Sequence, residues 1–200
     1  MKIAVFVSGR GSNLQAILES EFTRNLIDVK AVVSNKTDCP AFQIANKNSV
    51  PTYIVGNIPG KINFSELGNI LKTLEIDLIV LAGFLKLIPT EFVKGFQNKI
   101  INIHPALLPH YGGKGMYGLN VHKAVFNASD NFSGPTVHFV DETYDTGKII
   151  AQKKIEISNC KNAEEVAAEV LKAEHKLLPF VLAKFAAGIK NISEEEIDKL

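Results

Sequence analysis

Only two cysteines, Cys39 and Cys160, occur in the 200 residues. The chain therefore has no disulfide framework, and at this length it can bury a core without one. Net charge is nearly absent as well: 22 basic and 21 acidic residues leave a formal +1 at pH 7. That balance argues against electrostatic binding to nucleic acid or to a membrane surface as the main activity. Long hydrophobic runs are missing. The most apolar stretch, Ile76 to Ile88, carries Asp77 and Lys86 and falls short of the roughly 18–20 residues a membrane span needs. The apolar run that starts the chain is too short for a secretory signal and turns at once into Gly9-Arg10, so a cytoplasmic setting is expected. The five histidines, His104, His110, His122, His138 and His175, stand in no HxxxH or HxH spacing, and there is no CxxC pair. No catalytic metal is expected from such a distribution. Nor is there a GxSxG elbow for a serine hydrolase, an internal repeat or a low-complexity tract.

What is present is an alternation. Residues 3–7, 29–34, 52–55, 78–82 and 100–104 are short apolar runs with the character of strands, separated by helical patterns over 14–20, 41–48 and 65–75. Three of the runs are nearly unbroken Val/Ile/Leu, as parallel strands covered on both faces require. The alternation predicts right-handed βαβ crossovers and an α/β fold, an open, mostly parallel twisted sheet with helices on both faces. After His104 the pattern changes. Residues 105–119 are rich in proline and glycine and form a long loop, and a short helix over 120–127 follows. Strands over 136–142 and 148–157 flank Tyr144-Asp145-Thr146-Gly147, a hairpin-type turn, so the second half of the sheet is mixed. A long amphipathic helix covers 162–187, with Asn162 as N-cap and Gly188 as stop. Ser193 with Glu196 is a capping-box match for a short terminal helix, whose charge run is expected to face water. The chain is thus one domain: a phosphate- or nucleotide-binding half over 1–100, a catalytic half over 101–190, and a terminal tail over 191–200.

Three places have the chemistry of a site. The first is Ser8-Gly9-Arg10-Gly11-Ser12-Asn13, directly after the first strand and opening a helix. Backbone N–H groups at such a turn suit an anion, and Ser12 can cap the helix or bond a phosphate oxygen. Leu14 stands where a dinucleotide fingerprint has its third glycine, and Ser34-Asn35 rather than an acid ends the second strand. A single phosphate fits better than a dinucleotide, although turns of this kind also occur with no ligand. The second is Asn102-Ile103-His104-Pro105 at the carboxyl end of the fifth strand, where alternation points Asn102 and His104 to one face. An amide donor beside an imidazole can stabilise an oxyanion and move a proton; a hydrogen-bonded histidine at a strand end is the plainer alternative. The third is the acidic turn over 141–147, whose aspartates turn geometry alone would explain. Thr136 and His138 share one face of the strand leading into it.

Taken in order, these blocks resemble one family. Gly9-Arg10-Gly11-Ser12-Asn13-Leu14, Leu81-Ala82-Gly83-Phe84, Asn102-Ile103-His104-Pro105-Ala106-Leu107-Leu108-Pro109, Gly134-Pro135-Thr136-Val137-His138-Phe139 and Asp145-Thr146-Gly147 are similar to the formyl-folate transferase superfamily. The first block and the length narrow the resemblance to its phosphoribosylglycinamide formyltransferases, over residues 1 to about 187. The resemblance implies a Rossmann-like fold and transfer of a formyl group from 10-formyltetrahydrofolate to the amine of 5-phosphoribosylglycinamide, without a metal. It implies a catalytic trio of Asn102, His104 and Asp145, with Asn102 as oxyanion donor, His104 as a protonated general acid and Asp145 supporting it. Gly11, Ser12 and Asn13 would hold the substrate phosphate and Glu174 the ribose hydroxyls. Leu85, Lys86, Leu87 and Ile88, with Asp141, Glu142, Thr143, Tyr144 and Asp145, would wall the folate pocket, chiefly through backbone. Thr136 would hold an ordered water, with His138 as a companion. The second half would then be the folate-binding one as well as the catalytic one. Two small-molecule substrates, no nucleic acid, no membrane, and a monomer or homodimer are the expected partners. Ala106 stands where many relatives have serine, and the glycine-rich loop over 110–118 suggests a mobile lid. A basic residue near the folate tail has no clear match, Lys61 being nearest. Formyl transfer to another phosphorylated or nucleotide-sugar amine, or a catalytically silent folate- or nucleotide-binding module, are the rival expectations.

Overall fold

A computed structural model describes residues 1–189 and 191–200. Strands β1 (Lys2–Val7), β2 (Asp28–Ser34), β3 (Thr52–Ile54), β4 (Leu78–Leu81) and β5 (Ile100–His104) alternate with helices α1 (Ser12–Glu19), α2 (Ala41–Lys47), α3 (Phe64–Thr73) and α4 (Thr90–Gly95). Then come α5 (Leu119–Asn127), β6 (Phe132–Ser133), β7 (Thr136–Phe139), β8 (Ile149–Gln152), β9 (Ile155–Glu156), α6 (Ala163–Ala186) and α7 (Glu194–Asp198). Seven strands form one sheet in the order β3-β2-β1-β4-β5-β7-β8. The first five are parallel, and β7 and β8 are antiparallel additions. The expected α/β architecture, with a mixed second half and a long carboxyl-terminal helix, is the one observed.

Side-chain alternation sorts the core into two layers. Ile3, Val5 and Val7 of β1 pack with Leu14 and Ile17 of α1 and Leu177, Leu178, Val181 and Leu182 of α6. Ala4 and Phe6 point the other way, onto Leu67 and Leu71 of α3 and Phe92 and Val93 of α4. The same parity along β5 sends Ile101 and Ile103 to the α6 side and Ile100 to the α3–α4 side. Asn102 and His104 therefore share the face of Ile100, and apolar filling from α3 and α4 stops at that residue. The helices start where side chains satisfy their first N–H groups: Asn63 with Glu66 and Ser193 with Glu196 form capping boxes, and Asn162 accepts from the Glu165 amide.

Several expectations are corrected. Helix α4 and strand β6 had no counterpart in the sequence pattern; both are short, six and two residues. The run over 148–157 is two strands, because Lys153 and Lys154 interrupt its apolar pattern and β9 leaves the main sheet to pair with β6. The β7–β8 connection is no tight turn over 144–147 but spans residues 140–148. Asp141 organises it: its carboxylate accepts from the Thr143 amide and from the hydroxyls of Thr143 and Thr146. Ser12 does not cap α1; Gly11 occupies the N-cap with no side-chain cap bond. The terminal helix forms with the expected Ser193–Glu196 capping box, and it is also docked on the rest of the chain. Ile197 joins the core, Lys153 donates to its carbonyl at 3.0 Å, and Lys184 pairs with Glu196. The expected end of the second half, Lys190, lies outside the described residues.

Candidate active site

Ligands in open α/β sheets bind beyond the carboxyl ends of the strands, at the point where strand order reverses. Here that point lies between β1 and β4. The loops after β1, β4 and β5 leave the sheet side by side, Leu81 standing opposite Asn102 in register. Ser8 ties two of them together: its amide donates to the Gly83 carbonyl at 3.0 Å, and its hydroxyl accepts from the Leu85 amide at 3.0 Å and donates to Asn35 Oδ1 at 2.7 Å. Sequence reasoning placed Ser8 in the turn but missed this bridging role, which joins residues 77 apart.

In the first loop, Gly11 is required twice over. Its φ is +79°, and a Cβ there would lie 2.6 Å from the Cβ of Ala41. The turn delivers Ser12 and Asn13 as the first two residues of α1, where backbone N–H groups have no partner inside the helix. Asn13 is buried and donates through Nδ2 to Glu174 Oε2 at 2.7 Å. The structure thus brings Gly11, Ser12, Asn13 and Glu174 together from opposite ends of the chain. Burial pushes the Glu174 carboxyl up to about 7, with the Asn13 bond offsetting part of the effect. Asn13 Oδ1 is buried with no partner.

Asn102, His104 and Asp145 also meet, and His138 joins them. Antiparallel pairing sets Asn102 opposite His138 and His104 opposite Thr136, all four on one face. The 140–148 connection folds back on β7 so closely that a Cβ at Gly147 would lie 1.8 Å from the Phe139 carbonyl oxygen. That return carries Asp145 over the pair. His104 Nδ1 is 3.5 Å from Asp145 Oδ2, and His138 Nε2 is 3.6 Å from Oδ1. His138 Nδ1 lies 2.8 Å from the Phe139 carbonyl, which only accepts, so this nitrogen carries the proton. The other ring nitrogen then accepts from Asn102 Nδ2 at 3.1 Å, and the same amide donates to Asp145 Oδ1 at 3.4 Å.

The glycine-rich loop over 110–118 closes on this group. Its Tyr111 carbonyl accepts from His104 Nε2 at 2.8 Å, and its Gly113 amide donates to Asp145 Oδ2 at 2.9 Å. Both nitrogens of His104 therefore face acceptors, an arrangement that favours the imidazolium. Burial outweighs it and lowers the imidazole pKa, against the opposing pull of Asp145 and the Tyr111 carbonyl. The lowered pKa favours a neutral resting ring at neutral pH, whereas the resemblance implies a protonated one. For Asp145 the balance runs the other way. Burial raises its pKa, but the neighbouring His138 and His104 and the Gly113 amide prevail and hold the carboxyl below its ordinary value.

Thr136 differs from the expectation. Its hydroxyl donates to the Ala106 carbonyl at 2.6 Å and accepts from the Leu108 amide at 3.0 Å and Gln152 Nε2 at 2.8 Å. With one proton and two lone pairs all engaged, it has no capacity left to hold a water. Of the expected folate walls, Leu85 and Leu87 are each 47% exposed at the carboxyl edge, Lys86 is exposed, and Ile88 is buried. Glu142, Thr143 and Tyr144 are exposed, while the Asp141 carboxylate is used up inside its own loop. A cleft of about 920 Å³ includes Val93, Val140, Asp141, Glu142 and Thr146 in its lining but none of Asn102, His104 or Asp145. Lys61 donates to the Asn35 carbonyl at 2.7 Å. Among the described residues no helix is long and apolar enough to cross a membrane, and no group of three His, Cys, Asp or Glu could hold a metal ion.

Comparison with known proteins gives a consistent result. A family model described as formyl transferase matches residues 1–182. A chloroplastic phosphoribosylglycinamide formyltransferase of Vigna unguiculata is 47% identical over 180 residues, covering 88% of this chain and 58% of the relative. The phosphoribosylglycinamide formyltransferase of Haemophilus influenzae is 37% identical over 191 residues, covering 94% of this chain and 88% of the relative. The chain thus spans about three fifths of the plant relatives' length. Among solved structures, phosphoribosylglycinamide formyltransferase from Anaplasma phagocytophilum superposes with a TM-score of 0.85 at 31% identity, covering 97% of this chain and 90% of that one.

Proposed function

Because the chain belongs to the formyl transferase family, we propose that it transfers the formyl group of 10-formyltetrahydrofolate to the amine of 5-phosphoribosylglycinamide, a step of purine (IMP) biosynthesis. One observation carries this reading. Asn102, His104 and Asp145 converge beside β4 and the exposed residues 85–87 that follow it, on the same edge of the sheet as the uncapped amino end of α1. The phosphate would sit on the backbone of Gly11, Ser12 and Asn13, and the ribose hydroxyls on Glu174. The folate would lie between Leu85, Lys86, Leu87 and Ile88 on one side and residues 141–145 on the other.

The amine nitrogen attacks the formyl carbon, and the carbonyl oxygen takes up the electron pair. Asn102 donates to that oxygen, giving up its longer 3.4 Å contact with Asp145 while keeping His138. The attacking nitrogen now carries a surplus proton, and the leaving folate nitrogen needs one as its bond to the formyl carbon breaks. Once the Tyr111 carbonyl has withdrawn, His104 holds its single ring proton on Nδ1 toward the ionised Asp145 carboxylate, accepts the surplus proton at Nε2 and passes that same proton to the leaving nitrogen. Asp145 makes the transient imidazolium affordable in a buried site. For His104 Nε2 to reach substrate, the Tyr111 carbonyl must withdraw, so the 110–118 loop has to open and reclose in each turnover. No step calls on a metal. One domain carrying both half-sites, a cytoplasmic setting and a monomeric or homodimeric enzyme complete the proposal.

The test is direct: purified protein with both substrates should show the absorbance change of folate losing its formyl group, dependent on the ribonucleotide. Absence of that change with intact, folded protein would overturn the reading.

A further inference from the structure

His104 ends β5, and the chain then runs through residues 105–109 before reaching the Tyr111 carbonyl that holds its ring. This connecting segment begins and ends with proline, so two of its five residues have no N–H to offer. Its one backbone bond of the turn type is local, from the His110 amide to the Leu107 carbonyl. The bonds that fasten it to the sheet come from two side chains. Thr136 takes the Ala106 carbonyl and the Leu108 amide, and Gln152 Nε2 donates to the Leu108 carbonyl at 2.8 Å. Gln152 also donates to Thr136 Oγ1 at 2.8 Å.

Thr136 and Gln152 are register partners on β7 and β8, and His104 is the partner of Thr136 on the other side. One rung of the sheet thus holds the catalytic histidine, the hydroxyl and the amide in a row. The amide has two hydrogens and both are used; the hydroxyl has one hydrogen and two lone pairs and all are used. Ala106 and Leu108 are buried at 1% and 5% exposure, so their backbone groups have no water to fall back on.

We propose that Gln152 is a positioning residue for His104: by clamping the Leu108 carbonyl it fixes the segment that brings the Tyr111 carbonyl onto the imidazole. The role of the ring as proton carrier rests on the formyl-transfer reading; the clamp does not. Gln152 touches no reacting atom. It acts three residues upstream of Tyr111, and its demand is for a donor. A carboxylate of the same shape would set acceptor against acceptor at both the Leu108 carbonyl and Thr136, and a methionine would leave both without their donor.

The experiment compares the full-length wild type with Gln152→Glu and Gln152→Met. Nitrogen-15 NMR of the His104 ring, which needs no substrate, should show Nε2 hydrogen-bonded in the wild type. In both variants that signature should be lost, and the ring should titrate closer to ordinary imidazole as the segment loosens and water enters. Turnover should fall at least tenfold, with the KM for the phosphorylated amine, bound at α1, changed less than about twofold. Unchanged ring shifts and an unchanged pH profile in folded variants would overturn the proposal. Should the variants fail to fold, exchange of the Gln152 side-chain amide hydrogens in the wild type decides: protection supports the clamp, and free exchange overturns it. Inactive wild type with the NMR result intact would count against formyl transfer alone.

Discussion

Replacing Glu174 by glutamine isolates the buried carboxyl that joins the two ends of the chain. Burial moves its pKa from 4.5 up to about 7, and the Asn13 amide at 2.7 Å offsets only part of that. In the unfolded chain the group ionises near its ordinary value. Between the two pKa values the folded protein therefore keeps a proton that the unfolded chain has released, and stability falls as pH rises. The cost is absent below the unfolded pKa and complete above the folded one. At roughly 1.4 kcal/mol per pKa unit the whole difference is about 3 kcal/mol, most of which is lost between pH 5 and pH 8. Glutamine cannot ionise; its carbonyl keeps the bond from Asn13 Nδ2, and its N–H groups can serve the unpartnered Asn13 Oδ1. Urea unfolding of both proteins at pH 5, 6, 7 and 8 should show the wild type losing roughly 2–3 kcal/mol relative to Glu174→Gln. A flat difference across that range would refute the burial argument. The site has a matching expectation. An ionised carboxylate accepts from two hydroxyls better than a neutral one, so the ribonucleotide should bind more tightly as pH rises through about 7, with proton release measurable by calorimetry in buffers of different ionisation heat.

Three further outcomes follow from the geometry. Gly11→Ala sets a Cβ 2.6 Å from that of Ala41 at a φ of +79°, so the loop must shift; KM for the ribonucleotide should rise by more than kcat falls, and an equal loss in both would count against a phosphate site there. Exhaustive chelation should leave turnover unchanged, and a loss restored by zinc would refute the metal-free mechanism. His104→Ala should cost on the order of 10²–10⁴ in turnover, Asp145→Asn a large factor as well by lowering the imidazole pKa further, and the double variant should lie near His104→Ala alone; multiplicative losses would show that Asp145 acts independently of His104.

The strands were legible because a parallel strand covered on both faces has no choice of composition. Residues 100–104 were read with the bounds that β5 has, and the other four parallel strands within a residue at each end. The long helix was legible from its cap and stop: Asn162 accepts from the Glu165 amide, and Gly188 follows at a φ of +76°. What escaped was structure whose cause lies elsewhere in the chain. Helix α4 is a single short span after Pro89, stabilised by burying Phe92 and Val93 against α3 and β1 rather than by its own periodicity. The Asp141 loop has a turn composition, but its length is set by where β7 and β8 pair.

The site divides along the same line. Residues on one element, such as Asn102 with His104 or Gly11 with Ser12, could be seen as neighbours from spacing alone. Glu174 and Asp145 could not: they reach the site from 161 and 43 residues away from the partners they touch, Asn13 and Asn102, and only the family resemblance gave them roles, Asp145 otherwise standing in an acidic turn that turn geometry alone would explain. Charge state was harder still. The resemblance implies an aspartate that charges a histidine, yet the sign of the result depends on how deeply the ring is enclosed, and enclosure is supplied by the 110–118 loop. The loop that buries His104 also contributes the Tyr111 carbonyl that favours its charge, and Asp145 adds to the same side. Opening the loop relaxes the desolvation and removes one acceptor together, whereas reclosing over substrate restores both with a proton to be moved. The proton affinity of His104 is therefore tied to the position of residues 110–118, and the neutral resting ring is a property of the closed arrangement rather than of the Asn-x-His sequence that announces it.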